Sequence, residues 1–466
     1  MTVTNHLDQP MLKGLFAPIT DELDAADLSI TGSLPHGLDG VFMRNGPNPR
    51  FEPISGYHMF DGDGMLHAIT IRDGAASYRN RWLRTPQFLV EERAGRALYG
   101  GLGGMHTPTR EERGDAGRTK NPANTNLMRH AGRYYALYEG ALPTEFTTDL
   151  ATLPEQTYGG KLAGSFTAHP RIDPRTGELF AFAYSPFAPH LRAFFIDPDG
   201  ELDRIVDLDI PACSVMHDFA ITETSLVFVD APLIFDLEGA MAGGSPFKWD
   251  HNHGTRIGVV PRDGGDATWH EVDAGYVNHF WNAWDDGDKI VFSGSCSPGT
   301  GYSESKQSGH EGGSDAMPGL PTRFTLDRVT GRATAEVIND MPGDFTHIND
   351  AYLGIKSRFH TMGAFSGNPD IIGHFDTLVQ FDDVNGTHTS WCDRPGNVIG
   401  DAVFAAAPDG TEENDGWMVC TVHDRTSGAT DVAVLDAHDI AAGPIARIHL
   451  PQRLPFGFHA AWFANE

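Results

Sequence analysis

Short apolar runs of strand length, separated by turn sequences, constrain the fold of this chain more than any other feature. The turns include Asp173-Pro174-Arg175-Thr176-Gly177 and Asp327-Arg328-Val329-Thr330-Gly331. Asp tolerates turn geometry and Gly supplies a positive φ, so each sequence indicates a hairpin. The runs between such turns, for example residues 179–183, 289–292 and 431–435, are rich in Val, Ile, Leu and Phe. Many short strands joined by hairpins predict an all-β sandwich, barrel or propeller.

Helical periodicity is scarce, and residues 87–97 and 236–241 are the better candidates for short helices. A length of 466 residues would suggest about three domains at roughly 150 residues each. Propellers, however, run large as one unit because their sheets repeat around an axis. We therefore expect residues 1–466 to form a single propeller-like domain.

Charge and cysteine usage exclude several classes of function. The net charge of −29 argues against nucleic acid and against an anionic membrane surface as partners. The four cysteines are far apart and form no C-x-x-C pair, which favours reduced thiols in a cytoplasmic protein. The acidic beginning of the chain does not resemble a secretory signal, and no apolar run is long enough to span a bilayer.

One long segment lacks any periodicity. Residues 297–320 contain mainly Ser, Gly, Glu, His and Pro. Connections longer than about 12–15 residues without structure are usually lids, binding loops or disordered segments. The segment is therefore predicted to be a loop, either functional or merely exposed.

Four histidines each stand beside an apolar or aromatic run and lie far apart in the chain: His169, His217, His279 and His459. No single helix or hairpin could bring them together, whereas a radial array of similar β-units pointing at one axis could. Because the chain has 22 histidines, any four of them could be picked out as a set without a functional reason. A lone histidine in a strand is also more often a packed core residue than a metal ligand. A competing pair, His251 and His253, lies in a polar stretch that we interpret as an exposed loop. His347, His360 and His423 have no supporting context.

The sequence resembles the carotenoid cleavage oxygenase family across nearly its whole length. The segments that carry the resemblance are Arg44-Asn45-Gly46-Pro47-Asn48-Pro49, Thr167-Ala168-His169-Pro170, Met216-His217-Asp218-Phe219, His279-Phe280-Trp281-Asn282 and Phe456-Gly457-Phe458-His459. The resemblance implies a seven-bladed β-propeller with Fe(II) on its axis, bound by the four histidines. It also implies a cap of loops and short helices that encloses an apolar tunnel.

The family also has three glutamates that hydrogen-bond to ligand histidines from behind, which fixes the tautomer of each imidazole and raises its basicity. Glu139 matches the first of them, whereas Asp344 and Asp401 stand where the family usually has Glu. By analogy Glu139 would serve His217, Asp344 would serve His279 and Asp401 would serve His459. His169 would lack a carboxylate partner. The shorter Asp requires a closer backbone or a bridging water, and both aspartates could instead be ordinary turn residues.

Thr125 matches a family position beside an open coordination site. There its methyl group would restrict access and its hydroxyl would offer a weak hydrogen bond. The alternative is a threonine at a strand edge.

The resemblance implies a non-haem Fe(II) dioxygenase that adds both atoms of dioxygen across a conjugated C=C bond and releases two carbonyl products. Two other classes remain open: isomerisation or hydrolysis on the same iron, and a propeller that only binds proteins. The implied partners are an apolar conjugated alkene and O2, with a possible peripheral membrane contact for extracting the substrate.

The family cleaves two substrate classes, carotenoids or apocarotenoids and phenolic stilbenes or phenylpropenes. The lignostilbene-cleaving branch has a Lys directly before the first glutamate, where this chain has Tyr138, and a Tyr that aligns with Leu102, with Tyr99 out of register. A site without a cation could not stabilise a phenolate. We therefore predict an apocarotenoid substrate in a lining that includes Phe60, Trp281 and Phe458, although Tyr138 could itself contact a phenol.

Overall fold

The computed structural model describes residues 9–241, 245–297, 319–367 and 374–465. Within these residues the strands form seven antiparallel sheets of four or five strands, together with one separate two-stranded hairpin. The sheets are the blades of a seven-bladed β-propeller, which confirms the predicted fold. The predicted loop 297–320 lies outside the described residues except for its first residue and its last two.

The blades are numbered from the N-terminal side of the chain. Blade 1 contains β1 (Asp24–Ala25), β3 (Gly40–Pro47), β4 (Gly64–Arg72), β5 (Ala75–Trp82) and β32 (Ala460–Ala464). Blade 2 contains β6 (Asn126–His130), β7 (Arg133–Leu137), β8 (Thr144–Phe146) and β9 (Thr152–Glu155). Blade 3 contains β10 (Arg171–Ile172), β11 (Leu179–Tyr184), β12 (Leu191–Ile196) and β13 (Leu202–Leu208). Blade 4 contains β14 (Ala220–Ile221), β15 (Ser225–Asp230), β18 (Arg256–Pro261) and β19 (Thr268–Glu271), and the hairpin of β16 (Leu233–Phe235) and β17 (Phe247–Trp249) is inserted between β15 and β18.

The remaining three blades have the same meander order. Blade 5 contains β20 (Tyr276–Asp286), β21 (Lys289–Ser297), β22 (Leu320–Asp327) and β23 (Ala333–Val337). Blade 6 contains β24 (Gly343–His347), β25 (Phe359–Ala364), β26 (Thr377–Asp382) and β27 (Thr387–Cys392). Blade 7 contains β2 (Ile30–Gly32), β28 (Val398–Ala406), β29 (Gly416–His423), β30 (Thr430–Asp436) and β31 (Pro444–His449).

Helices are short and few in the described part of the chain. The α-helices are α1 (Pro86–Ala94), α2 (Arg110–Arg113) and α3 (Leu237–Met241). Single 3-10 turns cover Pro10–Leu12, Gly14–Phe16, Met59–Asp61, Asp350–Tyr352 and Ile440–Ala442. The hydroxyl of Thr85 accepts the amide hydrogen of Phe88 at the start of α1, and Gly95 ends the helix with a φ of 65°. The two helices predicted from the sequence correspond to α1 and α3.

Strands from both ends of the chain close the ring of blades. The C-terminal β32 pairs with β3 in blade 1, and the N-terminal β2 pairs with β31 in blade 7. Each of these two blades therefore combines strands from opposite ends of the sequence. The arrangement also places β32 next to the axis, directly after His459.

Apolar side chains fill every interface between neighbouring blades. Phe42 and Ile69 of blade 1, for example, pack against Val419 and Val434 of blade 7. Trp281 belongs to the corresponding cluster between blades 5 and 6, which also contains Met362, Ala364, Val379 and Phe381. Because its ring is enclosed by these core side chains, Trp281 lies in a blade interface, whereas we predicted a substrate contact.

The innermost strands carry β-bulges at the positions that matter for the site. An extra residue interrupts the register of β20 around His279, of β24 after Asp344, and of β28 around Asp401. A bulge turns a side chain away from the regular alternation and often occurs next to a functional site. These bulges therefore determine which side chains of the innermost strands face the axis.

Candidate metal centre

The four histidines singled out in the sequence meet at the propeller axis. His169 and His217 lie just before β10 and β14, His279 lies within β20, and His459 directly precedes β32. Each of these strands is the innermost strand of its blade. One ring nitrogen from each histidine lies within 4.8 Å of the others, so the group could hold a metal ion.

The donor geometry fits a metal bound by imidazole nitrogens. The Nε2 atoms of His169 and His217 are 3.0 Å apart. Two nitrogens at about 2.1 Å from one ion and at right angles to each other would be separated by about 3 Å. The Nε2 atom of His279 is buried and has no hydrogen-bond partner. A buried nitrogen without a partner is costly in a folded protein unless an ion or water satisfies it, so a cation at this point accounts for it.

Carboxylates lie behind two of the four rings at short distance. Nδ1 of His217 is 2.7 Å from Oε2 of Glu139, and Nδ1 of His279 is 2.8 Å from Oδ1 of Asp344. A carboxylate that accepts the Nδ1–H leaves Nε2 as the atom with a free lone pair. Both rings are thus in the tautomer that a metal at the axis requires.

The other two rings differ from this pattern. Nδ1 of His459 is 3.2 Å from Oδ2 of Asp401, whose side chain is fully enclosed. Nδ1 of His169 lies 3.5 Å from the side-chain nitrogen of Asn126 and has no carboxylate partner in the described residues. The three carboxylates therefore pair with the histidines that the resemblance implied, and both aspartates reach their rings directly.

A further layer of donors holds the free oxygen of each carboxylate. The hydroxyl of Tyr184 donates to Oε1 of Glu139 at 2.7 Å, and the side-chain nitrogen of Asn278 donates to Oδ2 of Asp344 at 2.6 Å. His347 donates from Nε2 to Oδ1 of Asp401 at 2.7 Å. None of these three donors was predicted from the sequence, in which His347 had no supporting context.

A largely buried ion pair joins three of the segments that carry the ligand histidines. Arg171 donates to Oδ2 of Asp218 at 2.5 Å, and the same oxygen accepts the amide hydrogen of Phe280 at 2.8 Å. Arg171 also donates to the carbonyl oxygens of Phe219 and Phe280. Because the inner edge of each blade has no further strand to pair with, these side chains satisfy backbone groups that would otherwise be left unpaired. The contacts connect blades 3, 4 and 5.

Burial and the neighbouring carboxylates set the protonation of the site. Burial lowers the pKa of His169, and the other three histidines lower it further; burial also lowers the pKa of His459 to about 4. Burial alone would raise the pKa of Asp344, but the contacts with His279 and Asn278 outweigh it and lower that pKa. Although burial opposes it, Glu139 raises the pKa of His217. The lowered pKa values of His169 and His459 favour neutral rings, which suit the binding of a divalent cation.

Thr125 and Phe345 complete the immediate surroundings of the rings. The backbone carbonyl of Thr125 accepts the amide hydrogen of His459 at 3.2 Å, and its hydroxyl donates to the side chain of Asn124. The ring of Phe345 lies 4.6 Å from the ring of His459, and its backbone has a φ of 54°. An aromatic residue with a positive φ is an outlier, and such strain is frequent at functional sites.

The competing histidine pair lies elsewhere. His251 is exposed, but His253 is not the exposed loop residue that we expected: its side chain is 5% exposed and its Nε2 lies 2.7 Å from Oδ1 of Asp230. His253 thus contacts blade 4, and neither residue belongs to the group that could hold a metal at the axis.

Comparison with known proteins decides the family. Residues 16–464 match the family model described as RPE65, retinal pigment epithelial membrane protein. The chain is 34% identical to the carotenoid 9,10(9',10')-cleavage dioxygenase 1 of Pisum sativum, over 99% of this chain and 91% of that protein. It is 33% identical to the carotenoid cleavage oxygenase of Mycobacterium tuberculosis, over 97% of both chains.

The chain belongs to the carotenoid cleavage oxygenase family. Among solved structures it is similar to a lignostilbene dioxygenase of Pseudomonas brassicacearum, with a TM-score of 0.91, 30% identity and coverage of 98% of this chain and 99% of that one. It is also similar to the apocarotenoid oxygenase of Synechocystis, with a TM-score of 0.84, 27% identity and coverage of 96% and 97%. The family thus includes solved relatives with both of the substrate classes considered above.

This carotenoid cleavage oxygenase homologue contains a cavity of about 330 Å³, and none of the four axis histidines lines it. Phe60 and Tyr138 line it, and Tyr138 directly precedes Glu139. Phe458, which directly precedes His459, packs against Phe60 with the ring centroids 5.0 Å apart and the planes tilted by 45°. The walls come mainly from residues 99–107 and 118–122, between β5 and β6, and from the hairpin β16–β17. Most of these residues lie outside the blade strands, in the kind of connecting segment from which the family resemblance implied a cap.

Two cations in the cavity wall correct our expectation of a lining without positive charge. Arg118 and Lys120 both line the cavity, as do Tyr99 and Leu102. Lys120 lies 2.6 Å from Asp63 and 2.7 Å from Glu91, so two carboxylates neutralise its ammonium group. No sequence signal predicted this placement. Lys120 lies in the segment between β5 and β6, whereas Tyr138 follows β7, and only the fold brings both residues to one cavity wall.

No helix in the described ranges is both long enough and apolar enough to cross a membrane.

Proposed function

We propose that this protein is a non-haem Fe(II) dioxygenase that cleaves a conjugated C=C bond of a carotenoid or apocarotenoid into two carbonyl products. The observation that carries the proposal is the convergence of four imidazole nitrogens at the axis. Three carboxylates contact the opposite ring nitrogens of these histidines, on the side away from the metal position. Imidazole suits Fe(II) among other divalent ions, and the named relatives are oxygenases. When bound, Fe(II) supplies the activation of dioxygen that an alkene alone cannot provide.

In this proposal the chain's own residues position the reactants. His169, His217, His279 and His459 hold the iron, and Glu139, Asp344 and Asp401 fix three of the rings by accepting their Nδ1–H. Thr125 lies against His459 and narrows access to one side of the ion. The buried surroundings keep water away from the reacting alkene, and no general acid or base pair is needed.

The cavity supports an apolar, elongated substrate. Phe60 and Tyr138 line the cavity, and Phe458, whose ring packs against Phe60, directly precedes His459. Burial of apolar surface contributes about 25 cal/mol per Å², so a polyene can bind through its chain alone. A long conjugated system is also electron-rich without deprotonation, and the Lys120 ammonium is already paired with two carboxylates.

A phenolic stilbene or phenylpropene is the second candidate substrate. Tyr99, Tyr138, Arg118 and Lys120 surround one cavity, and the lignostilbene dioxygenase has the TM-score of 0.91. Polar groups in this wall could bind a phenol oxygen. We place this candidate second because the curated relatives are named for carotenoid cleavage.

The substrate assignment is tested by assaying iron-loaded protein in parallel with an apocarotenal and a 4-hydroxystilbene. We expect efficient turnover of the apocarotenal, with kcat/KM at least about tenfold higher than for the stilbene. Turnover of the stilbene alone would contradict the substrate class and leave the dioxygenase chemistry intact. A His217→Ala variant serves as the control for iron-dependent turnover in both assays.

The location and the membrane contact also stay proposals. A cytoplasmic location is supported by four cysteines without disulfide bonds. Met105 lines the cavity and is 64% exposed, so an apolar side chain stands at the cavity mouth. This exposure supports a peripheral contact with a membrane that stores the substrate.

A further inference from the structure

Asp401 has an unusual position among the three carboxylates behind the histidines. It lies in β28 of blade 7, and its side chain is completely buried. Three groups donate to it: Nε2 of His347 at 2.7 Å, the amide of Ala460 at 3.0 Å, and Nδ1 of His459 at 3.2 Å. The donors come from blade 6 and from the segment that enters blade 1, so the carboxylate joins three blades.

The shortest of these contacts is made by His347 and not by the ring at the axis. Oδ1 of Asp401 accepts from His347, whereas Oδ2 is shared between Ala460 and His459. A buried carboxylate rotates until its strongest donors are satisfied, because an unsatisfied buried charge is costly. The position of Oδ2, and hence its distance to His459, therefore depends on the donor that fixes Oδ1.

The other two carboxylates show the same construction with other donors. Tyr184 fixes the free oxygen of Glu139, and Asn278 fixes that of Asp344. In each case one oxygen is anchored and the other accepts from a histidine at the axis. His347 occupies the equivalent place for Asp401, and it arrives there through the bulge of β24 between Asp344 and His347.

We propose that His347 is a positioning residue that holds Asp401 in the orientation in which it accepts the Nδ1–H of His459. The inference rests on the proposed function in one respect, since it takes His459 to be a metal ligand. Loss of the His347 donor would leave Oδ1 unsatisfied and let the carboxylate turn away from His459. That ring would then lose its fixed tautomer and part of its basicity.

The test compares His347→Leu with His360→Leu. His360 is the matched control because it is a buried histidine on the next strand of the same blade and also contacts an aspartate, Asp383, at 3.0 Å. Its ring packs against Trp281 at a blade interface and does not approach the axis cluster. Both substitutions remove a partly buried histidine–carboxylate contact, but only one of them acts on Asp401.

Three quantities are measured on each purified full-length protein: Fe(II) affinity by chelator competition, the visible spectrum of the Co(II)-loaded form, and the melting temperature without metal. We expect His347→Leu to weaken metal binding roughly 10–100-fold and to alter the Co(II) bands. His360→Leu should leave both unchanged, even if its melting temperature falls. His347→Gln, which keeps an N–H donor of similar reach, should recover most of the affinity.

Equal metal affinity and equal Co(II) spectra in His347→Leu and His360→Leu would overturn the inference. Should His347→Leu not fold, His347→Asn replaces it, since its amide is too short to reach Oδ1, and the same outcomes apply. Absence of metal binding in the unaltered protein would instead refute the proposed function, so the two failures are distinguishable.

Discussion

Among individual residues, the main contrast is that a carboxylate oxygen orients three of the four rings at the axis but not the fourth. Glu139, Asp344 and Asp401 lie 2.7, 2.8 and 3.2 Å from their histidines. His169 instead faces the amide nitrogen of Asn126. The ring without a carboxylate should be the weakest donor of the four, because nothing raises its basicity.

Replacing one axis histidine should remove the metal. We expect His217→Ala to lose bound iron and all turnover, because a donor to the ion disappears and Glu139 loses its partner. His253→Ala is the matched control, since His253 is also buried against a carboxylate but lies away from the axis. Metal analysis of both purified variants checks the prediction, and iron retained by His217→Ala would refute the ligand assignment.

Neutralising the aspartates should weaken the metal without unfolding the protein. We expect Asp344→Asn and Asp401→Asn to lower metal affinity or activity by roughly 10–100-fold. The neutral amide of Asn lacks the negative charge with which Asp raises the basicity of the ligand histidine. Asp383→Asn, which alters the His360 contact, provides the comparison. If both axis variants turn over at the unaltered rate, the charges of Asp344 and Asp401 do not contribute to the metal centre.

For individual residues, the sequence predicted which carboxylate pairs with which histidine, but not which donors bind the other oxygen of each carboxylate. The histidines and their carboxylates were found because the short motifs around them resemble those of the family, and the pairing was implied by that resemblance. Tyr184, Asn278 and His347 were missed because each contact forms only after two neighbouring blades have come together. Trp281 was misplaced because a residue two positions after a ligand can face either the axis or a neighbouring blade, and the bulges in β20 decide which.

Among the strands, β-bulges change the direction of side chains in the innermost strands, where the sheets meet the metal centre. Predicted runs 179–183, 289–292 and 431–435 fall within β11, β21 and β30. The bulges at His279, Asp344 and Asp401 carry no comparable sequence signal, because register depends on the partner strand. Strand positions were therefore predictable, whereas the direction of the side chains at the axis was not.

Gly400 offers a test of the bulge in β28. A Cβ at this position would lie 2.2 Å from the hydroxyl oxygen of Thr421. We expect Gly400→Ala to displace the neighbouring Asp401 and to reduce metal affinity several-fold. The double variant Gly400→Ala/Thr421→Ala removes the clash and should recover affinity. If the single variant binds metal normally, the geometry of this bulge does not control Asp401.

In the whole molecule, the metal centre lies on the axis that all seven blades surround, and one of its ligands comes from the C-terminal end of the chain. The rings belong to segments that enter blades 3, 4, 5 and 1, and blade 1 is closed by β32 directly after His459. The hairpin pattern predicted an all-β fold but left sandwich, barrel and propeller open. The family resemblance, and not the periodicity, supplied the number of blades.

Metal binding should therefore stabilise the entire propeller. An ion bound by the folded state alone adds about 4 kcal/mol at a free concentration a thousand times its Kd. We expect the melting temperature to rise by several degrees when Fe(II) is added to metal-free protein under anaerobic conditions. His459→Ala should show no such shift, and an equal rise in both proteins would place the stabilising metal elsewhere.

The fate of labelled dioxygen tests the dioxygenase chemistry most directly. Iron-loaded protein is mixed with an apocarotenal under ¹⁸O₂, the products are reduced at once to alcohols to limit exchange with water, and both fragments are analysed by mass spectrometry. We expect two fragments from one C=C bond, each carrying one ¹⁸O at its new carbonyl carbon. A single isomerised or hydrated product without ¹⁸O would contradict the proposed cleavage.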